Sequence, residues 1–282
     1  MFYTIQNAYL TARISTTGAE LQSLKNNITG YEAIWQGDPS IWNGHSPILF
    51  PIVGRLKNDS YTHNGKQYTL AKHGFARKNE FSVGLTADDF VTLSLHSGAF
   101  KENYPFDCTL EIRYELVGRT LKITHRVTNH GDADMYFSLG AHPAFNCSVG
   151  DIIAFPQDQT ARAYRLRSDC GLLTDEKITE GIKDHHFAIT PDAFNQDALI
   201  FEGLRSDEVT LYHNNVPCVT LNYGNAPCLG IWAKPNAPYV CIEPWYGMDD
   251  NAHVSGELSE KPQIVKLPSK NCFRFPMNIT LH

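Results

Sequence analysis

The chain has 282 residues, 42% of them hydrophobic and 19% charged, with 24 Lys and Arg against 30 Asp and Glu for a formal net charge of −6. That is enough apolar matter for a sizeable core, and the acidic balance excludes the basic footprint that nucleic acid or an anionic membrane surface selects. Seven cysteines with no C-x-x-C spacing argue against a disulfide framework and a zinc knuckle, and for a reducing, cytoplasmic setting.

At the N-terminus, Met1-Phe2-Tyr3-Thr4-Ile5-Gln6-Asn7 has neither the basic nor the apolar region of a signal peptide. No apolar stretch approaches the roughly 20 residues of a membrane span. Tyr61-Thr62-His63 and Lys66-Gln67-Tyr68-Thr69 flank Asn64-Gly65, a pair that tolerates positive φ and predicts a type I′ hairpin. That hairpin delivers the chain to His73 in Lys72-His73-Gly74-Phe75-Ala76-Arg77.

Period-two alternation follows, in Val91, Leu93, Leu95, then Leu110, Ile112, Tyr114, Leu116, and Leu121, Ile123, Val127, which predicts half-buried strands. Val117-Gly118-Arg119-Thr120 reads as the turn between the last two runs. Beyond His142, in Gly140-Ala141-His142-Pro143-Ala144-Phe145-Asn146, helical periodicity is hard to find. Only short helical pieces are expected, for instance after Thr190-Pro191-Asp192, where Thr can cap and Pro can occupy the first turn. The runs at 209–212, 219–223, 230–233 and 239–243 return to strand patterning, with Pro, Gly and Asn between them. No linker, charge run or repeat divides the chain. The whole, 1–282, reads as one all-β domain, a large antiparallel sandwich with few short helices.

The residues suited to chemistry are His73, His142 and Glu243, the last in Cys241-Ile242-Glu243-Pro244-Trp245-Tyr246-Gly247. Histidine titrates nearest neutral pH and a carboxylate supplies the opposite function. An acid and a base about a hemiacetal are what ring opening requires: one protonates the ring oxygen while the other takes the anomeric hydroxyl proton. Each residue alone also has an ordinary role, at a surface, in a turn or as a cap. Trp42, Phe75, Phe145, Trp245 and Tyr246 are aromatics that stack on sugars or fill cores. Arg55, after Phe50-Pro51-Ile52-Val53-Gly54, and Asp197, before Ala198-Leu199-Ile200-Phe201, are candidates for hydroxyl binding. His185-His186 is adjacent rather than i, i+4, and no H-E-x-x-H, P-loop, Rossmann or nucleophile-elbow pattern occurs, so neither a metal nor an organic cofactor is implied.

At these motifs the sequence resembles the aldose 1-epimerase (mutarotase) family, and more narrowly its LacX-like branch. The resemblance runs from Gly18-Ala19-Glu20-Leu21-Gln22-Ser23-Leu24 through the Phe50–Arg55 segment to the three site motifs, in that order, with the site residues 69 and 101 positions apart. It implies a galactose-mutarotase-like β-supersandwich, with His142 as the acid at the ring oxygen and Glu243 as the base at the anomeric hydroxyl. His73 would polarise near the ring oxygen, and Arg55, Asp197, Phe75 and Trp245 would hold the sugar. The partner implied is a small-molecule sugar, with no nucleic acid and no membrane, and the protein a monomer or homodimer. Around His142 the chain has Ala-His-Pro-Ala-Phe-Asn where the galactose enzymes tend to show Asn-His-Thr-Tyr-Phe-Asn, so the resemblance does not fix the hexose. Lys57, Lys72, Arg77 and Lys78 leave a hexose 6-phosphate open. A non-catalytic sugar-binding or sensing protein is the rival from another class. A glycoside hydrolase or lyase ranks behind it, because two catalytic carboxylates would then be expected.

Overall fold

Successive side chains of a strand point to opposite faces, and the alternating runs of the sequence use that geometry directly. In the computed structural model, which describes residues 1–157 and 160–282, Cys108–Val117 and Thr120–Asn129 bury every second residue over ten-residue lengths. They close through Gly118-Arg119 with Val117 opposite Thr120. These two strands lie near the middle of a nine-stranded sheet. Beyond Cys108–Val117 come Phe90–His96 and Ser82–Thr86; beyond Thr120–Asn129 come Cys272–Leu281, Val216–Asn222, Glu208–His213, Ile152–Ala154 and His186–Ala188.

A second sheet faces it. Leu199–Glu202, Cys228–Trp232 and Tyr239–Tyr246 pair in that order, and Leu139–Ala141, Ala144–Asn146 and Ile48–Leu49 complete it on the far side. The ladders of both sheets are antiparallel. Tyr239–Tyr246 is buried along nearly its whole length on both faces, as a central strand covered on two sides must be. Tyr246 packs its ring against Phe273 and Phe275 of the nine-stranded sheet, at 4.9 and 5.2 Å between centroids. One apolar cluster gathers residues from Ile5 to Leu281. It includes the N-terminal meander of Phe2–Gln6, Leu10–Ser15 and Leu21–Asn26.

The sandwich expected from the patterning is therefore observed, as is the hairpin at Asn64-Gly65, which joins Ser60–His63 to Lys66–Thr69 with both turn residues at positive φ. The helix expected after Thr190 is not there. Residues 191–196 form consecutive turns, with i→i−3 bonds from Ala193 to Thr190, Asn195 to Asp192 and Asp197 to Phe194. Of residues 190–196 only Phe194 is buried, so the segment offers no apolar stripe to hold a helix on the core. Among the described residues helix is confined to four short 3₁₀ turns, and no helix is long and apolar enough to cross a membrane.

His125, on the strand Thr120–Asn129, is fully buried and stacks on Phe275 at 5.1 Å. Burial, opposed by its contact with the Phe275 carbonyl, pushes its imidazole down to about 4 from the ordinary 6.5. The fold accommodates the neutral ring, so this group's share of stability is complete above pH 6.5. It is lost as pH falls from 6.5 toward 4, where the unfolded chain alone takes the proton. The shift corresponds to about 3 kcal/mol. Denaturant melts of the native protein and His125→Leu at pH 7, 5.5 and 4.5 should show the variant losing less stability on acidification; parallel losses would contradict the assignment.

Candidate active site

The register of the six-stranded sheet brings His142 and Glu243 together. Gly140 pairs with Trp245 and Ala144 with Cys241, so the intervening His142 stands opposite Glu243. Pro143 cannot donate to the ladder, and the strand is interrupted there; the Pro143 carbonyl still accepts the Ile242 N–H at 3.1 Å. His142 Nε2 and Glu243 Oε2 lie 3.2 Å apart, with Glu243 only 2% exposed. The imidazole of His142 is held by Trp42, stacked on it at 5.4 Å, and by Trp232, edge-on at 5.8 Å.

His73 reaches the same place from a different segment. Its backbone is left-handed, φ 66°, and that of Gly74 is left-handed too, φ 68°. This tight bend is clamped by the Phe50–Arg55 stretch. The His73 N–H donates to the Gly54 carbonyl at 2.8 Å, and the Phe75 and Ala76 N–H groups share the Phe50 carbonyl. The Gly54 N–H in turn donates to His73 Nδ1 at 3.1 Å. With Nδ1 accepting, the neutral ring carries its proton on Nε2 and acts as a hydrogen-bond donor. The two histidine rings meet edge to face with centroids 6.0 Å apart.

Around this trio is a cavity of about 210 Å³, walled by Trp42, Trp232 and Trp245 with Leu166, Ala198 and Ile200, and edged by Lys72, Arg77, Asp197 and Asp249. Burial decides its electrostatics. It lowers the His142 imidazole to about 3 and His73 well below its usual value, with Lys72 adding to the effect. It also lifts the Glu243 carboxyl well above the usual range against the pull of Lys72, and Asp249 is raised for the same reason. The His142–Glu243 pair thus keeps one proton and no net charge around neutrality.

A model of the aldose 1-epimerase family matches residues 1–269. The plasmid-encoded protein LacX of Lactococcus lactis subsp. lactis is 30% identical over 98% of each chain. The chain belongs to the aldose 1-epimerase family. The likeness to known proteins extends to structure. A galactose mutarotase related enzyme from Lactobacillus acidophilus superposes with a TM-score of 0.93 at 35% identity, covering 100% of this chain and 97% of that one. A galactose mutarotase-like protein from Lactobacillus casei gives 0.92 at 29% identity, with both chains fully covered.

Of the residues the sequence singles out, His73, His142, Glu243, Asp197 and Trp245 share the cavity, as does Trp42. Arg55 and Phe75 do not line it. They lie in an adjoining groove of about 680 Å³, Arg55 facing Asp59 at 3.9 Å and Phe75 stacked on Phe100 at 3.9 Å. Phe145 and Tyr246 belong to the core packing. Asp197 has φ 63° and bonds the following N–H with its own Oδ1, a bend that leaves its carboxylate at the rim. Sequence reasoning missed Trp232 and Asp249. Trp232 looks like any strand residue, but Asp249 carried a signal, an acidic pair after Gly247 and close to Glu243. Asp249 Oδ1 accepts the Arg55 N–H at 2.6 Å, so the Phe50–Arg55 segment serves the site through its backbone.

Gly74 is a sharp steric constraint on this geometry, because a Cβ there would sit 2.3 Å from the Phe50 carbonyl oxygen. Gly74→Ala combines that overlap with a left-handed backbone and should cost about 1–3 kcal/mol. Urea denaturation is the measurement; a midpoint equal to the native one would show that the bend is not clamped.

Proposed function

We propose that this protein is a cofactor-independent aldose 1-epimerase that interconverts the α and β anomers of an aldohexose. The observation that carries the reading is the 3.2 Å approach of His142 Nε2 to Glu243 Oε2 inside a walled cavity. The two oxygens that exchange protons on ring opening, O1 and O5, are bonded to one carbon. A paired donor and acceptor of this spacing suits both at once.

His142 gives a proton to O5 as the C1–O5 bond breaks, and Glu243 takes the O1 proton as the carbonyl forms. The one proton of the resting pair, held on the Glu243 carboxyl, first crosses to His142 Nε2 as the sugar docks; the pair then passes from imidazolium–carboxylate to imidazole–carboxylic acid, and its total charge stays zero. Rotation about C1–C2 presents the other face of the aldehyde. Closure then returns both protons, so the protein ends as it began. The Nε2–H of His73 donates a hydrogen bond near O5, and Asp197 and Asp249 accept from sugar hydroxyls at the rim. Such a cycle needs no group beyond these side chains. A sugar-binding role without turnover leaves this matched proton pair without purpose.

A second substrate reading has its own support. Lys72 and Arg77 line both the cavity and the adjoining groove, where Arg55 and Lys78 add two more cations. A hexose 6-phosphate seated with its ring in the cavity would direct its phosphate there.

Exchange spectroscopy on glucose, galactose and their 6-phosphates tests both readings. Glu243→Gln and His142→Gln should each slow exchange about 10²- to 10⁴-fold, and a Glu243→Gln protein of full activity would sink the mechanism. Lys72→Met should raise KM for the 6-phosphates and leave that for the free hexoses alone if phosphate is read. The pH dependence follows from the shared proton. Acid adds a second proton only as pH falls through about 3, the value of His142, and alkali removes the first only as pH rises through the elevated value of Glu243. The kcat/KM profile should therefore be flat through pH 4.5, where an ordinary glutamate would titrate, and a break there would contradict a buried pair.

A further inference from the structure

Cys241 stands two residues before Glu243 on the same strand, so both side chains leave the sheet on one face. The Cys241 sulfur, a His142 ring nitrogen and a Glu243 carboxylate oxygen all lie within 4.8 Å of one another. All three residues are buried, Cys241 completely. Nothing in the acid–base cycle calls for a thiol there.

We propose that Cys241, His142 and Glu243 form a binding site for a thiophilic divalent cation of the Zn²⁺ class, and that its occupancy shuts off the proton pair. Sulfur, imidazole and carboxylate are the ligands this ion takes, and three protein ligands with a fourth position open to a cavity is a familiar zinc arrangement. Hard ions such as Mg²⁺ require oxygen ligands and are excluded by the thiolate.

Charge balance favours the exchange. The resting cluster is electrically neutral: a thiol, and a His–Glu pair holding one proton. On binding, metal–sulfur, metal–nitrogen and metal–oxygen bonds form, the thiol proton and the shared proton leave to solvent, and no group is oxidised or reduced. One dication with a thiolate, a carboxylate and a neutral imidazole is again neutral, so no uncompensated charge is left in the interior. Lys72 and Arg77 oppose a cation in the cavity, whereas Asp197 and Asp249 favour it. The Glu243 carboxylate that binds the metal is the one that takes the O1 proton, so metal occupancy and turnover exclude one another. This inhibitory half rests on the epimerase reading; the binding half does not.

The test uses the full chain in a background where the exposed Cys170 and Cys272 are replaced by Ser. Titration with Co²⁺ should give one equivalent of a tetrahedral spectrum with a sulfur-to-metal charge-transfer band, absent from Cys241→Ala. Zn²⁺ should abolish anomer exchange reversibly, with activity restored by a chelator, while Mg²⁺ has no effect. Cys241→Ala should keep its exchange activity and need at least about tenfold more Zn²⁺ for half-inhibition, a loss of about 1.4 kcal/mol or more in binding. Should that variant fail to fold, Cys241→Val and the native Co²⁺ spectrum decide. No sulfur band in the native protein, or equal zinc sensitivity with and without the thiol, overturns the site. Exchange without zinc sensitivity removes this inference and leaves the epimerase; a cobalt–sulfur spectrum without any exchange removes the epimerase and leaves the metal site.

Discussion

The site depends on one cross-strand pairing, His142 opposite Glu243, made in the interior of a sheet where charge is costly. Two ionisable groups removed from water are tolerated when together they carry no net charge and face each other closely. The buried pair meets both conditions at 3.2 Å. The same desolvation that depresses the imidazole raises the carboxyl, which brings the two proton affinities into the order that leaves one proton for the pair. Hydration would separate them again, so the three tryptophans and the aliphatic wall set the electrostatics of the site as much as the two titrating groups do.

The surrounding fold holds that pair in place from several directions. Tyr239–Tyr246 is fixed on one side by Cys228–Trp232, with Glu243 opposite Gly230, and on the face turned to the nine-stranded sheet through Tyr246. The Phe50–Arg55 segment contributes hydrogen bonds rather than a charged side chain. Its Gly54 N–H fixes the tautomer of His73, its Phe50 carbonyl anchors the bend at Gly74, and its Arg55 N–H holds Asp249. A segment whose work is done by backbone atoms still demands particular residues, because only some allow the approach.

That division explains what could be read from the amino acids and what could not. Alternation in 108–127 states directly which face of each strand is buried, and Asn64-Gly65 announces its own turn, since both signals are local. His73, His142 and Glu243 stood out because charged or titratable residues sat among glycine, proline and aromatic neighbours. Arg55 was harder to place, because it lies in the adjoining groove and not in the cavity. Its motif matters, yet the sequence does not distinguish a side chain that contacts a ligand from a backbone N–H that orients a carboxylate. Trp232 carried no local mark, because its place in the cavity comes from a partner strand distant in the chain. The contact of Cys241 with the pair was equally hidden, for it needs the register with Ala144 and the face shared with Glu243.

The interruption at Pro143 shapes the ladder beside Glu243. An unbroken strand from Leu139 to Asn146 would continue the ladder beside Glu243. With proline in the middle, that ladder splits into Leu139–Ala141 and Ala144–Asn146. His142 lies in the gap, and its N–H turns outward to the Pro47 carbonyl. Each half keeps its register with Tyr239–Tyr246, so the gap is held open from both ends. The sheet thereby loses regular pairing where a histidine and a cavity are wanted, and retains it on either side, where alignment of the proton pair depends on it. Restoring the missing donor at position 143 would let the ladder run without a break from Leu139 to Asn146 beside Glu243.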